Sequence, residues 1–252
     1  MKIPYPFSLI HPTVIEFAIT DFCNLACPNC SQATPVQKSR ESIPLEKFIE
    51  YLKIIAPSKP HTIKISGGEP TLHKNFVDII QAIYSFMPEC RIVVATNAAM
   101  LLKKSPAIEM IDLIDVAHYP GENDQEVIAL KSEQFPNVRI TSKRDGIEMM
   151  DVNKVVPNQS QFNCVTTRVR KVVGNRIYPC CISHGIAIRA GIDTKTVSTP
   201  VTKGWDERID KIDMSECCKR CWMENRFSML GTIKGILKDP TLISKIKNRI
   251  GL

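Results

Sequence analysis

The sequence predicts an α/β protein: a parallel sheet or partial barrel with helices on its outside, followed by a small cysteine-rich module. Three observations lead to this. Strand-like and helix-like segments alternate over about the first 155 residues, glycine pairs and cysteines follow the strand ends, and nine of the ten cysteines fall into two zones of the chain. Alternating β and α segments are typical of parallel sheets, whose active sites lie at the carboxyl ends of the strands.

Each element of the alternation has its own pattern. Short runs rich in Val and Ile predict strands, and apolar residues spaced three and four apart predict helices. The predicted strands cover 14–19, 62–66, 91–96 and 138–141, with a helix end and a further strand over 111–118. The predicted helices cover 43–56 and 76–86.

The regular alternation stops at about residue 156, after which cysteines lie between short strand-like pieces. We therefore divide the chain into a core at 1–155, a small metal-pinned module at 156–227 and a helical tail at 228–252. The tail contains two predicted helices, 232–238 and 241–250, separated by Asp239-Pro240.

Composition and charge argue against nucleic-acid-binding, secreted and membrane-spanning proteins. The net charge is +7, with much of the excess after residue 200. No nucleic-acid motif accompanies these charges, so we interpret them as a solvated helical face. The sequence has neither a secretory signal nor an apolar run of about 18 residues. We expect a cytoplasmic protein without a membrane partner, whose clustered cysteines bind metal or carry chemistry.

The first cysteine zone is a single loop after the first strand, with Cys23, Cys27 and Cys30 in Cys-x3-Cys-x2-Cys spacing. A structural zinc site needs four ligands, and this loop offers three. A four-iron cluster held by three cysteines keeps one iron open, and a molecule with a chelating amine and carboxylate would fill it.

These residues resemble the signature of the radical S-adenosylmethionine (radical SAM) superfamily. A second stretch agrees: Gly67, Gly68, Glu69 and Pro70 follow the second strand and look like the family's GGEP motif, which binds the methionine amino group of S-adenosylmethionine. Asn97, at the end of the third strand, matches a position near the cofactor. The sequence departs from the family at Asn29, where an aromatic residue is usual, which leaves open how the adenine side is held.

The resemblance implies a partial (β/α)6 TIM-like barrel, a [4Fe-4S] cluster on Cys23, Cys27 and Cys30, and a site for S-adenosylmethionine. It also implies a reaction in which the reduced cluster cleaves S-adenosylmethionine to a 5′-deoxyadenosyl radical that takes a hydrogen atom from the substrate. A reductant such as flavodoxin or ferredoxin would be a partner.

The second cysteine zone resembles the Twitch module, a shortened form of the SPASM domain that holds a second [4Fe-4S] cluster. The resemblance assigns four ligands: Cys164, Cys180, Cys218 and Cys221. Cys181 is an alternative to Cys180, and Cys217 to Cys218. A structural zinc site with four cysteine ligands is the competing interpretation. Cys90 is interpreted as an unliganded thiol.

A second cluster with all its ligands supplied by protein would accept electrons. We therefore expect the oxidation of a small hydroxylated molecule, such as a sugar or cyclitol. The alternatives are a maturase that crosslinks or epimerises a ribosomal peptide, and a zinc-binding protein without catalysis. Candidate residues on the substrate side are His118, Tyr119, Lys143 and Arg144.

Overall fold

The computed structural model of the chain describes residues 14–28, 30–37, 40–142, 152–153, 155 and 169–221. Within these ranges, eight strands form one open sheet in the order β5-β4-β3-β2-β1-β6-β7-β8. The strands are β1 Val14–Ala18, β2 Thr62–Ser66, β3 Arg91–Thr96, β4 Leu113–His118, β5 Val138–Ser142, β6 Val169–Val173, β7 Arg176–Tyr178 and β8 Thr199–Pro200. The neighbours from β5 to β6 are parallel, while β7 and β8 pair antiparallel. The predicted α/β class with a parallel sheet is confirmed.

The helices are α1 Leu45–Ile55, α2 Phe76–Phe86, α3 Ser105–Ile108, α4 Asp124–Glu133, α5 Ser183–Ala190, α6 Trp205–Ile209 and α7 Ser215–Lys219. The predicted first five strands, α1 and α2 agree with the structure to within two residues at each end. Helix α4 was not predicted. It buries only Val127 and Leu130 and leaves Ile128 exposed, so its sequence lacks an apolar stripe.

The helix-facing side of the sheet is apolar. Alternate strand residues point to the same face, and those of β1 to β4 on this side are fully buried with side chains of α1 and α2 in one core. The Phe17 ring meets the Phe48 ring of α1 edge-on, with 4.9 Å between centroids. The strand residues of this core include Ile15, Phe17, Ile63, Ile65, Ile92, Val94, Ile114 and Val116.

The opposite face of the sheet carries charges. Glu16 on β1, Lys64 on β2 and Lys171 on β6 alternate with the apolar residues of their strands, and the register places all three in one row. Glu16 and Lys171 are completely buried. The open sheet is therefore apolar toward the helices and charged on its other side.

Strand β6 lies beside β1 and not beyond β5. Val14 is level with Val169 and Ala18 with Val173, so the sheet continues across the sequence boundary placed at residue 155. A second apolar cluster builds on this extension and includes Tyr178, Ile186, Val197 and Met214. The predicted tail, 228–252, lies outside the described residues.

No helix within the described ranges combines the length and the apolar character needed to cross a membrane.

The Phe17–Phe48 contact gives a test of the helix-facing core. We expect Phe48→Ala to lower the free energy of unfolding by about 3–5 kcal/mol, because it removes a fully buried ring and leaves a cavity. Urea denaturation measures this change. Ile128→Ala, which truncates an exposed side chain on α4, is the control and should alter stability far less; equal losses in both variants would contradict the assignment of the core.

Candidate functional site

The first cysteine loop leaves β1 at the carboxyl edge of the sheet. Cys23, Cys27 and Cys30 are half-buried, and the Cys30 amide donates to the Cys27 carbonyl at 3.2 Å, which folds the loop back on itself. Burial raises the pKa of the Cys23 thiol to about 11, and Glu69, Cys30 and Cys27 act in the same direction. The three predicted ligands therefore lie close enough to affect one another electrostatically.

Gly67 and Gly68 pack against the start of this loop. The Gly68 amide donates to the Thr20 carbonyl at 2.7 Å, and the Glu69 amide donates to the Phe22 carbonyl at 2.8 Å. A Cβ atom on Gly67 would lie 2.4 Å from the Thr20 oxygen, and one on Gly68 would lie 2.3 Å from the Phe22 oxygen. Both glycines are thus required by the backbone that leads into Cys23, in addition to any contact with a ligand.

The Glu69 side chain is almost completely buried and connects the ends of β2 and β3. Its Oε1 accepts from the Thr71 amide at 3.0 Å, the Thr71 hydroxyl at 2.6 Å and the Thr96 hydroxyl at 2.5 Å. Its Oε2 accepts from the Asn97 amide at 2.6 Å. Pro70 begins the short 3₁₀ turn Pro70–Leu72 that presents Thr71 to the carboxylate.

The Glu69 carboxylate has no positively charged partner within 4 Å among the described side chains. Burial raises its pKa, while the hydrogen bonds from Thr71, Thr96 and Asn97 act against that increase. A carboxylate offers about four acceptor positions, two on each oxygen. Oε1 is crowded with three donors, whereas Oε2 receives one and keeps a position for a further donor.

Asn97 links the third strand to the cysteine loop. Its side-chain amide donates to the Asn24 side chain at 2.9 Å and lies 3.8 Å from the Cys23 sulfur. The buried Asn123, which the sequence analysis missed, donates to the carbonyls of Asn97 at 2.7 Å and Ala117 at 2.9 Å. It also accepts from the Tyr119 amide at 2.7 Å. Asn123 thereby holds the ends of β3 and β4 together.

Two of the four candidate residues on the substrate side are described. Burial raises the pKa of the Tyr119 phenol to about 12, and the thiols of Cys27, Cys30 and Cys23 contribute in the same direction. His118 instead contacts Asp124 of α4, with 2.6 Å between Nε2 and Oδ1. Lys143 and Arg144 lie outside the described residues.

The charged row on the sheet is a site feature that the sequence analysis also missed. Lys64 Nζ lies 2.9 Å from Glu16 Oε2, and Lys171 Nζ lies 3.4 Å from Glu16 Oε1. Ser66 donates to Glu16 Oε1 at 2.7 Å. Burial alone would raise the pKa of Glu16, but Lys64 and Lys171 lower it to about 2. The available signal was a charge at the centre of each strand: Glu16 in β1, Lys64 in β2, and Lys171 next to Arg170 in β6.

The second cysteine zone comes together in the apolar cluster beyond β6. Cys180 follows β7, α7 carries Cys217 and Cys218, and Cys221 follows α7; Cys181 also packs there. Cys217 is the most deeply buried, and its sulfur lies 3.9 Å from the Ser183 carbonyl. Burial, with Cys221 nearby, raises the pKa of Cys217 to about 12. Cys164, the fourth predicted ligand, lies outside the described residues.

The described His, Cys, Asp and Glu side chains form no group of three that converges on a single metal ion. A four-iron cluster places its thiolate ligands on different irons, so three cysteines spread along one loop fit it better than they fit one ion. Cys90 lies apart from both zones, and its thiol donates to the Pro60 carbonyl at 3.2 Å.

Comparisons with known proteins agree with this geometry. The sequence model of the radical SAM superfamily matches residues 17–119. A GTP 3′,8-cyclase of Helicobacter pylori (strain ATCC 700392 / 26695) is 32% identical over 104 residues, which are 40% of this chain and 32% of the cyclase. Molybdenum cofactor biosynthesis protein 1 of Drosophila melanogaster is 25% identical over 164 residues, 63% of this chain and 27% of that protein. The chain thus matches about a third or less of the length of these two relatives.

Among solved structures, BtrN in complex with AdoMet and 2-DOIA is similar in fold. The TM-score is 0.62 at 16% sequence identity, and the match covers 83% of this chain and 87% of BtrN. The match therefore extends well beyond the segment that the superfamily model matches.

The Gly68 contact yields a test of the site. We expect Gly68→Ala to reduce the iron bound per chain after anaerobic reconstitution, because its Cβ would displace the Phe22 carbonyl and with it the loop that carries Cys23. Gly191→Ala is the control: Gly191 has a positive φ but open space around its Cβ position, so it should lose some stability and no iron. Unchanged iron in Gly68→Ala would contradict the packing described.

The cysteine loop, the glycine-rich turn and strands β2 to β4 of the parallel sheet all lie within the stretch that the superfamily model matches. Residues 17–119 of this chain match the sequence model of the radical SAM superfamily.

Proposed function

We propose that this chain is a radical SAM enzyme whose first [4Fe-4S] cluster is held by Cys23, Cys27 and Cys30. S-adenosylmethionine would lie against Gly67, Gly68 and Glu69, with Asn97 beside it and Pro70 shaping the turn. The observation that carries the proposal is the Glu69 carboxylate: buried, without a described cationic partner, and open at Oε2 next to the cysteine loop. A buried anion of this kind fits the ammonium group of an amino-acid ligand.

When bound, the reduced cluster and S-adenosylmethionine would supply a 5′-deoxyadenosyl radical that takes a hydrogen atom from the substrate. The chain's own residues would position the cofactor and the substrate, and they would exclude water from the site. Asn97, through its contact with the Cys23 sulfur, would orient the cluster ligand, and Asn123 would keep the β3 and β4 ends at a fixed spacing. Tyr119 would cover the cysteine loop from the β4 side.

The substrate we propose is a small hydroxylated molecule such as a sugar or cyclitol. The overall likeness to BtrN, a protein solved with AdoMet and 2-DOIA, supports a small molecule, as does the polar, charged face of the sheet. In an alcohol oxidation the carbinol carbon loses a hydrogen atom to the radical, the hydroxyl loses a proton, and one electron leaves to give the carbonyl.

A second [4Fe-4S] cluster on Cys164, Cys180, Cys218 and Cys221 would accept that electron. The three described members lie in one small apolar cluster, which supports their common role. Cys217 contacts the Ser183 carbonyl from a fully buried position, which favours Cys218 as the ligand of that pair. Zinc on the same four thiolates is the alternative, and metal analysis distinguishes the two.

The first test is iron and sulfide content after anaerobic reconstitution, together with 5′-deoxyadenosine release from S-adenosylmethionine and dithionite. We expect about eight irons per chain and measurable release. Replacing Cys23, Cys27 and Cys30 together by Ala should halve the iron and abolish release, whereas Cys90→Ala should change neither. Wild-type protein that holds no iron would reject the proposal. About four irons plus zinc would keep the radical reaction and remove the second cluster.

The role of Glu69 has its own test. We expect Glu69→Gln to weaken binding of S-adenosylmethionine by tenfold or more, about 1.4 kcal/mol or above, because the ammonium would lose its buried counter-charge. Equilibrium dialysis of the iron-loaded protein measures this change. Glu46→Gln, on the exposed first turn of α1, is the control. Equal affinities in Glu69→Gln and wild type would show that the carboxylate serves only the fold.

A further inference from the structure

The charged row on the sheet contains more positive than negative charge. Glu16 lies level with Lys64 of β2 on one side and with Lys171 of β6 on the other. One carboxylate therefore faces two ammonium groups, at 2.9 and 3.4 Å. The next charges on this face, Asp115 and Arg139, neutralise each other through a salt bridge of 3.0 Å.

The two lysines differ in accessibility. Lys171 is fully buried, and its ammonium group is shared between Glu16 and the side chain of Gln32, just beyond the cysteine loop. Lys64 keeps 32% of its side chain exposed. The ammonium group has three N–H donors, and its ion-pair partner on the sheet is Glu16 Oε2 at 2.9 Å. Lys64 is thus the member of the row that can contact a molecule lying on the charged face.

Lys64 is also correctly placed relative to the proposed cofactor site. It points to the same face as Ser66, which immediately precedes Gly67 and Gly68. Two residues of strand span about 7 Å. A molecule held at Lys64 would therefore reach with its other end toward the turn against which S-adenosylmethionine is proposed to lie.

We propose that Lys64 anchors an anionic group of the substrate, a carboxylate or a phosphate. The inference rests on the proposed function and narrows it: the hydroxylated substrate is a sugar acid, a sugar phosphate or a molecule of similar charge. Glu16 and Lys171 are positioning residues that hold the Lys64 side chain extended. The Lys64 ammonium provides the charge that the row leaves without a counter-ion, and its strand sets the distance from the anion to the reacting carbon.

The experiment is thermal unfolding of the iron-loaded protein during titration with sodium phosphate or sodium acetate, at ionic strength held constant with sodium chloride. A ligand that binds the native state raises Tm. We expect at least one of the two anions to raise Tm in the wild type and in Lys64→Arg. The response should vanish in Lys64→Gln and Lys64→Met, where Lys171 still balances Glu16 and the fold is kept. Lys53→Gln, on the exposed face of α1, should respond like the wild type.

The outcomes separate this inference from the proposed function. A response to phosphate alone indicates a phosphorylated substrate, and a response to acetate alone indicates a carboxylate. An undiminished response in both neutral variants, or none in the iron-loaded wild type, overturns the anchor. A neutral variant that binds less iron or less S-adenosylmethionine than Lys53→Gln also overturns it, because Lys64 would then serve the cofactors. A wild type without iron rejects the proposed function itself.

Discussion

The buried carboxylate of Glu69 is the interaction on which the geometry of the site depends. A buried carboxylate is costly unless donors surround it, and this one receives its donors from its own turn and from the end of β3, at Thr96 and Asn97. The backbone of the same residue bonds to Phe22. One residue, through its side chain and its backbone amide, therefore fixes the turn after β2, the end of β3 and the start of the cysteine loop relative to one another.

The two faces of the sheet have different roles: one packs against the helices and stabilises the fold, and the other carries the charged side chains. Because side chains alternate along each strand, the residues at even and odd positions of β1 and β2 meet different surroundings. Ile15, Phe17 and Ile65 pack under the helices, while Glu16 and Lys64 lie on the other face. Charges are retained in the middle of these strands because strands on both sides supply counter-charges at the same level. A slip of one residue in β1 would turn Glu16 into the apolar core, so the charged row also enforces the register.

Local patterns in the sequence were sufficient for the first five strands and for α1 and α2, because each buries a periodic apolar stripe. They were also sufficient to find the cysteine loop and Gly67–Gly68, whose spacing is visible in the sequence. Local patterns were insufficient for β6, because no residue near Val169 indicates that this strand pairs with Val14, about 155 positions earlier. The same non-local register hides the row of Lys64, Glu16 and Lys171.

Other features of the site were hidden for different reasons. Asn123 lies at the start of α4, a helix with almost no apolar stripe, and its importance comes from carbonyl groups on two other segments. The requirement for Gly67 and Gly68 was visible, but its cause was not, because the Thr20 and Phe22 carbonyls come close only after β1 and β2 have paired. Spacing does not distinguish two adjacent cysteines such as Cys180 and Cys181 as metal ligands. A loop can adjust its backbone enough to present either thiol to the same site.

The extension of the sheet through β6 makes the two cysteine zones structurally dependent on each other. Lys171 of β6 binds Gln32, just beyond the first cysteine loop. Arg189, at the end of α5, donates to the Pro28 carbonyl between Cys27 and Cys30 at 2.8 Å. Helix α5 in turn begins three residues after Cys180 and contacts α7, which carries Cys217 and Cys218. The segment from β6 to α5 therefore contacts the first loop and its flank, and a change that unfolds this segment removes two of the contacts that position the loop.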